Sequence, residues 1–159
     1  MSWLSDHTLL TGATVAAATM GGVFWGFSTF IMKALDEIPV PQGVAAMQSI
    51  NKFAPTPLFM IPLFGTAVVG IGLAVNGLAR LDDPASKYKL LGAGIYLVGI
   101  VLTAAYHVPK NDALAALDPS AAATVAFWRD YVTTWTAANH IRTLSCLGAA
   151  VSWGLALRS

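Results

Sequence analysis

The sequence predicts an all-α protein, a membrane-embedded four-helix bundle with short interfacial helices on one side. Two observations lead there: the composition and the charge-free runs. Of 159 residues, 56% are hydrophobic and only 11% charged, with mean hydropathy +0.64. A soluble domain carries roughly 25% charged residues, so this chain cannot clothe a water-exposed surface. Its nine basic and eight acidic residues are scattered and sum to +1. That excludes the basic patch of a nucleic-acid binder and the polar, charged composition of a disordered chain. A single cysteine, Cys146, excludes an internal disulfide, a cysteine zinc cluster and a dithiol relay.

The spans follow from the charges. Between Asp6 and Lys33 lie 26 uncharged residues, between Lys52 and Arg80 lie 27, and between Lys89 and Lys110 lie 20. About 20 apolar residues cross a hydrocarbon core roughly 30 Å thick, so all three are long enough. In the second, Pro55, Pro57 and Pro62 confine the regular helix to its later part. The fourth run, Thr143 to Leu157, has only 15 residues, on the order of 22 Å as a helix. That span must begin near Trp135 or Thr136, which carries Asn139, His140 and Arg142 to or inside the hydrocarbon boundary. The expected spans are about 8–34, 56–79, 88–108 and 135–157, in one domain covering residues 1–159.

The opening MSWLSDH lacks the basic region of a secretory signal, so the first helix reads as a retained span. Small residues such as Ala18, Gly22 and Gly26, and Ser145, Ala149 and Ser152, suit close helix packing. The expected partners are the lipid bilayer, an apolar aromatic small molecule and a second copy of the chain in a homo-oligomer. Four spans place both termini and the Arg80–Lys89 loop on one side. The density of Arg80, Lys87 and Lys89 in that loop points to cytoplasmic termini in a multi-pass cell-membrane protein.

Polar chemistry gathers on the other side. An ionisable group in a span is costly and marks a candidate site; Arg142, with Asn139 and His140 beside it, is either such a group or a side chain snorkelling to the headgroups. Pro41 starts a helix whose one face carries Val44, Met47, Gln48 and Asn51. Its amides turn toward the bundle or merely cap backbone groups. In the third span Tyr96, Gly99, Thr103 and His107 share a face, and Pro109 should break the helix beside Asn111. His107 is a general base or a structural hydrogen bonder. Asp118-Pro119 reads as a helix start. Trp128, Tyr131, Val132 and Trp135 then form a stripe that is either an interfacial anchor or the wall of a pocket for a flat aromatic molecule. His107 and His140, with Asp112, Met47 or Asp36, would be the ligands for iron or copper. No HxxxH or ExxH spacing supports such a centre, so no metal site and no cofactor are predicted.

Four stretches carry a resemblance: GVFWGFSTFIMKAL from Gly22, GVAAMQSIN from Gly43, HVPKNDAL from His107 and WRDYVTTWTAANHIR from Trp128. In this order they resemble the anthrone oxygenase-like family of small integral membrane proteins. Asn51, Pro109, Asn111, Trp135, Asn139 and Arg142 match its pattern best. The resemblance implies oxidation of an apolar, anthrone-like polycyclic aromatic by dioxygen. Such a methylene is acidic because its carbanion is delocalised into an aromatic enolate. His107 or His140, with a reference pKa near 6.5, would be the general base. Arg142, Asn139 and Asn111 would steady the oxyanion, and Trp128, Tyr131 and Trp135 would stack on the rings, with Asn51 and Gln48 beside them. The bilayer would deliver the substrate. Two other readings stand beside this one: a non-catalytic membrane subunit or binding protein for a lipid, quinone or partner helix, and a metal-dependent membrane oxidoreductase.

Overall fold

A computed structural model describes residues 3–159. Among these residues there is no strand. The chain forms four long helical rods and one shorter helix. The first rod comprises α1 (Trp3–Gly26), a π-helical turn at Phe27–Ile31 and α2 (Met32–Glu37). Next comes the shorter helix α3 (Val40–Phe53), with a proline in its first turn. The second rod comprises α4 (Pro57–Met60), a π-helical turn at Ile61–Gly65 and α5 (Thr66–Leu78). The third comprises α6 (Ser86–Leu102), a π-helical turn at Thr103–His107 and α7 (Val108–Ala115). The fourth is a single 35-residue helix, α8 (Ala122–Ala156).

Helix α8 packs between α1 and α6, and α5 closes the ring by packing against both of those. Asp6, Asn76 and Lys89 meet at one end of the bundle, while Phe27, Thr103 and Trp135 border a cavity toward the other. Successive rods therefore run up and down. The bundle core is built from Leu10, Ala17, Met20, Leu73, Tyr96 and Trp153. Trp153 fits because Gly70 and Gly92 have no side chain: a Cβ on either would lie 3.0 Å or less from its ring. A second apolar cluster, with Met32, Val44, Met47, Leu114, Trp128 and Tyr131, joins α2, α3, α7 and the start of α8.

Three rods are long and apolar enough to cross a membrane, over Asp6–Glu37, Pro57–Leu78 and Ser86–Ala115. The fourth completes the bundle but carries Asn139 and Arg142 on its inner face. Large apolar side chains such as Leu58, Val68, Val75 and Val98 point outward, as lipid contact requires and water would penalise. The chain is a membrane protein.

Three local expectations need correction. Pro109 does not break the third rod. It stands in the first turn of α7, directly after the π-helical turn, where a missing backbone N–H is tolerated. Asp118-Pro119 does not open the last helix either. The Asp118 carboxylate accepts from the Ser120 backbone and hydroxyl, closing a turn, and α8 begins at Ala122. Lys89 is not a loop cation. It is 2% exposed, and its ammonium donates to Asp6 Oδ2 at 3.0 Å and to Asn76 Oδ1 at 2.9 Å.

Candidate active site

The two apolar clusters do not meet flush. Between them lies a cavity of about 170 Å³, bordered by every rod and by α3. Phe24, Asn51, Leu63, His107, Trp135 and Arg142 each contribute to its wall. Three features of the backbone bring such distant residues together.

Each of the first three rods carries its π-helical turn at the level of the cavity. Widening the helix by one residue per turn displaces the i to i−4 ladder and leaves carbonyls free for other donors. A side chain takes one at each turn. Asn139 Nδ2 donates to Phe24 O at 2.7 Å, just before the first turn. Tyr96 Oη donates to Leu63 O at 2.9 Å, inside the second. His107 Nδ1 lies 3.3 Å from Leu102 O, at the start of the third.

Arg142 is 7% exposed, and no carboxylate among the described residues pairs with it. Its guanidinium is held instead by one amide and two rings. Asn139 Oδ1 accepts from Nε at 3.1 Å and from Nη2 at 2.7 Å. The guanidinium carbon lies 4.0 Å from the centre of the Phe24 ring and 5.2 Å from that of Trp135. Cation–π contacts of this kind are attractive but do not neutralise charge. Asn139 is fixed in turn, because its Nδ2 also donates to Ser28 Oγ at 2.8 Å. The result is an oriented, uncompensated positive charge facing an apolar cavity.

His107 is 1% exposed and stands edge-on to Trp135, with ring centres 5.0 Å apart. The Leu102 carbonyl can only accept, so Nδ1 carries the proton. Nε2 is buried and makes no hydrogen bond. In this tautomer Nε2 offers a lone pair, which is what a base requires. Beside it, Asn111 Oδ1 accepts from Tyr131 Oη and Trp135 Nε1, each at 2.8 Å. Asn51 Nδ2 donates to the same tyrosine oxygen at 3.4 Å. Asn111's acceptor is thus satisfied by two donors, and the residue lines the cavity.

The candidates named from sequence separate accordingly. His107, Arg142, Asn51, Asn111 and Trp135 all border the cavity, and Asn139 stands behind Arg142. His140 does not join them. It is one helical step from Asn139, about 100° round the axis, and is exposed on the outside of α8. Gln48 does not reach the cavity wall either. Its Nε2 donates to Leu114 O and Leu117 O, each at 2.9 Å, capping the end of α7. Trp128 is fully buried behind Tyr131, with the rings 5.7 Å apart and nearly parallel, and Tyr131 acts through its hydroxyl. So the aromatic stripe is an inner wall rather than a headgroup anchor, and only Trp135 touches the cavity. No three potential metal ligands gather among the described residues. Phe24 and Ser28 were not among the sequence candidates. Phenylalanine in an apolar helix carries no signal of a cation partner.

A family model described as anthrone oxygenase matches residues 58–152. No curated protein and no solved structure matches the chain.

Proposed function

Because the chain belongs to the anthrone oxygenase family, we propose that it is a membrane-embedded oxygenase acting on a flat, apolar ketone of the anthrone type. One observation carries this reading: Arg142, whose guanidinium has no carboxylate partner, and His107, a buried imidazole, line the same apolar cavity. The His107 Nε2 lone pair takes a proton from the acidic ring methylene. The electron pair left behind delocalises onto the ketone oxygen, and Arg142 steadies the oxyanion as it forms. Asn139 holds Arg142 in place, while the Asn111 and Asn51 amides offer hydrogen bonds to other oxygens on the rings. Phe24, Phe27 and Trp135 supply apolar faces for them. The electron-rich carbanion then reacts with dioxygen at the former methylene carbon. In the overall change CH2 and O2 become C=O and water, so one oxygen atom stays on the ring and the other leaves with both hydrogens.

In this reading the protein is multi-pass in the cell membrane with cytoplasmic termini, its substrate is dissolved in the bilayer, and no cofactor takes part. Its test is oxygen uptake and anthraquinone formation by purified protein in vesicles supplied with anthrone. Arg142→Gln should lower turnover on the order of 100-fold or more while leaving the helical circular dichroism unchanged, whereas His140→Ala should turn over normally. Normal turnover by Arg142→Gln would sink the scheme. Anthrone retention without oxygen uptake would make the protein a binding module instead, and stoichiometric iron or copper in active protein would make it a metal-dependent oxidoreductase.

A further inference from the structure

The cavity has an outer as well as an inner side. Its polar groups, His107 and Arg142, are deep, while apolar residues of its wall reach the surface on two sides; on one of them stand Val23 of α1, 39% exposed, and Phe64 of the second π-helical turn, 41% exposed. These two stretches pack against each other, so the two side chains flank one seam. The surface around that seam is apolar, with Phe30, Ile61 and Val68 exposed. Val23 lies ten residues before Lys33, about 15 Å along the helix. Phe64 lies 12 residues after Lys52 and 16 before Arg80. The seam therefore opens at the depth of the hydrocarbon core. The wall on its Phe64 side is an irregular part of the second rod. Pro57 and Pro62 remove backbone donors there, and the helix between α3 and α4 is interrupted at 54–56. A second approach, beside Pro55 and Val108, lies nearer the charged Lys52 and Lys110.

We propose that the cavity is loaded sideways, from the hydrocarbon interior of the bilayer, through a portal between Val23 and Phe64. The molecules it admits are flat and apolar and partition into lipid; water-soluble conjugates of the same ring system are excluded. This rests on the cavity and its walls and not on the proposed oxidation, so each can fail without the other.

The probe is an apolar aryl diazirine dissolved in phosphatidylcholine vesicles that hold the purified protein. Flash photolysis converts it into a carbene that inserts where it stands, and peptide mass spectrometry locates the adducts. Insertion is expected at Phe24 and Trp135, which are buried, as well as at lipid-facing Leu58. Val23→Trp should abolish the adducts at Phe24 and Trp135 while leaving that at Leu58. Phe64→Ala, which widens the seam, should increase them, so a folding defect in one variant cannot imitate the pattern. Absence of cavity adducts in the unmodified protein would overturn the portal. So would cavity labelling that neither variant changes, or stronger cavity labelling by a charged, water-soluble diazirine, which would place the route beside Pro55 and Val108.

Discussion

Arg142 keeps its charge inside the bundle without a carboxylate, and Asn139 makes that arrangement specific. One carbonyl oxygen takes two guanidinium donors while the amide nitrogen is tied to Phe24 O and Ser28. Asn139→Ala removes all four bonds and leaves a buried cation short of acceptors. It should lower unfolding stability in detergent by about 2–3 kcal/mol, measured as a shift in denaturant midpoint. A shift of only a few tenths would mean that water in the cavity solvates the guanidinium unaided. Both residues stand out in the sequence because polar groups in an otherwise apolar span are costly. Their three-residue spacing also puts them on one face. The same spacing argument separates His140 from that face, a signal the sequence contains. Phe24's part could not be read this way, since its ring meets Arg142 only through the packing of α1 on α8.

Helical elements place the site through irregularities that composition does not announce. Three π-helical turns ring the cavity, and within or just before each a carbonyl meets a side chain from the site or its support. Pro62 and Pro109 sit within or just after two of them. From sequence a proline reads as a break; only a rod packed on both sides can absorb it as a local widening. Close approach of α3 to its neighbours is the other element-scale requirement. A Cβ at Gly43 would run into the Leu35 carbonyl oxygen and stand 3.1 Å from the Trp128 ring. Neither a backbone oxygen nor a fully buried indole can yield easily. Gly43→Ala should therefore cost about 1–3 kcal/mol, seen as a lower melting temperature in micelles. Gly22→Ala, where a Cβ meets open space, should be neutral or slightly stabilising. Equal melting temperatures for the two variants would contradict this packing.

Over the whole molecule, two polar centres occupy opposite ends of one apolar bundle. At the end remote from the cavity, Lys89 ties α6 to Asp6 of α1 and Asn76 of α5. Removing one partner of a buried ion pair typically costs about 3–5 kcal/mol because the other charge is stranded. Lys89→Ala should show such a loss in chemical denaturation, while turnover per folded molecule stays at the unmodified level. Paired Lys89→Gln and Asp6→Asn substitutions should recover much of the loss. A fall in turnover at unchanged stability would show instead that this end communicates with the site.

The sequence by itself determined the class of molecule, the charge-free runs and the polar residue types of the site. Each follows from one strong and local energy, the cost of placing charge in hydrocarbon. Which face each polar residue occupies was decided only by the tertiary structure. It turned Lys89 inward and His140 outward, used Gln48 as a cap, and brought Asn51, His107, Asn111 and Arg142 to one cavity. The reason is physical: convergence depends on the rotation of each rod about its axis. That rotation is set by three π-helical turns and by the fit of rings such as Trp128 and Trp153 against glycines, interactions between residues far apart in the chain.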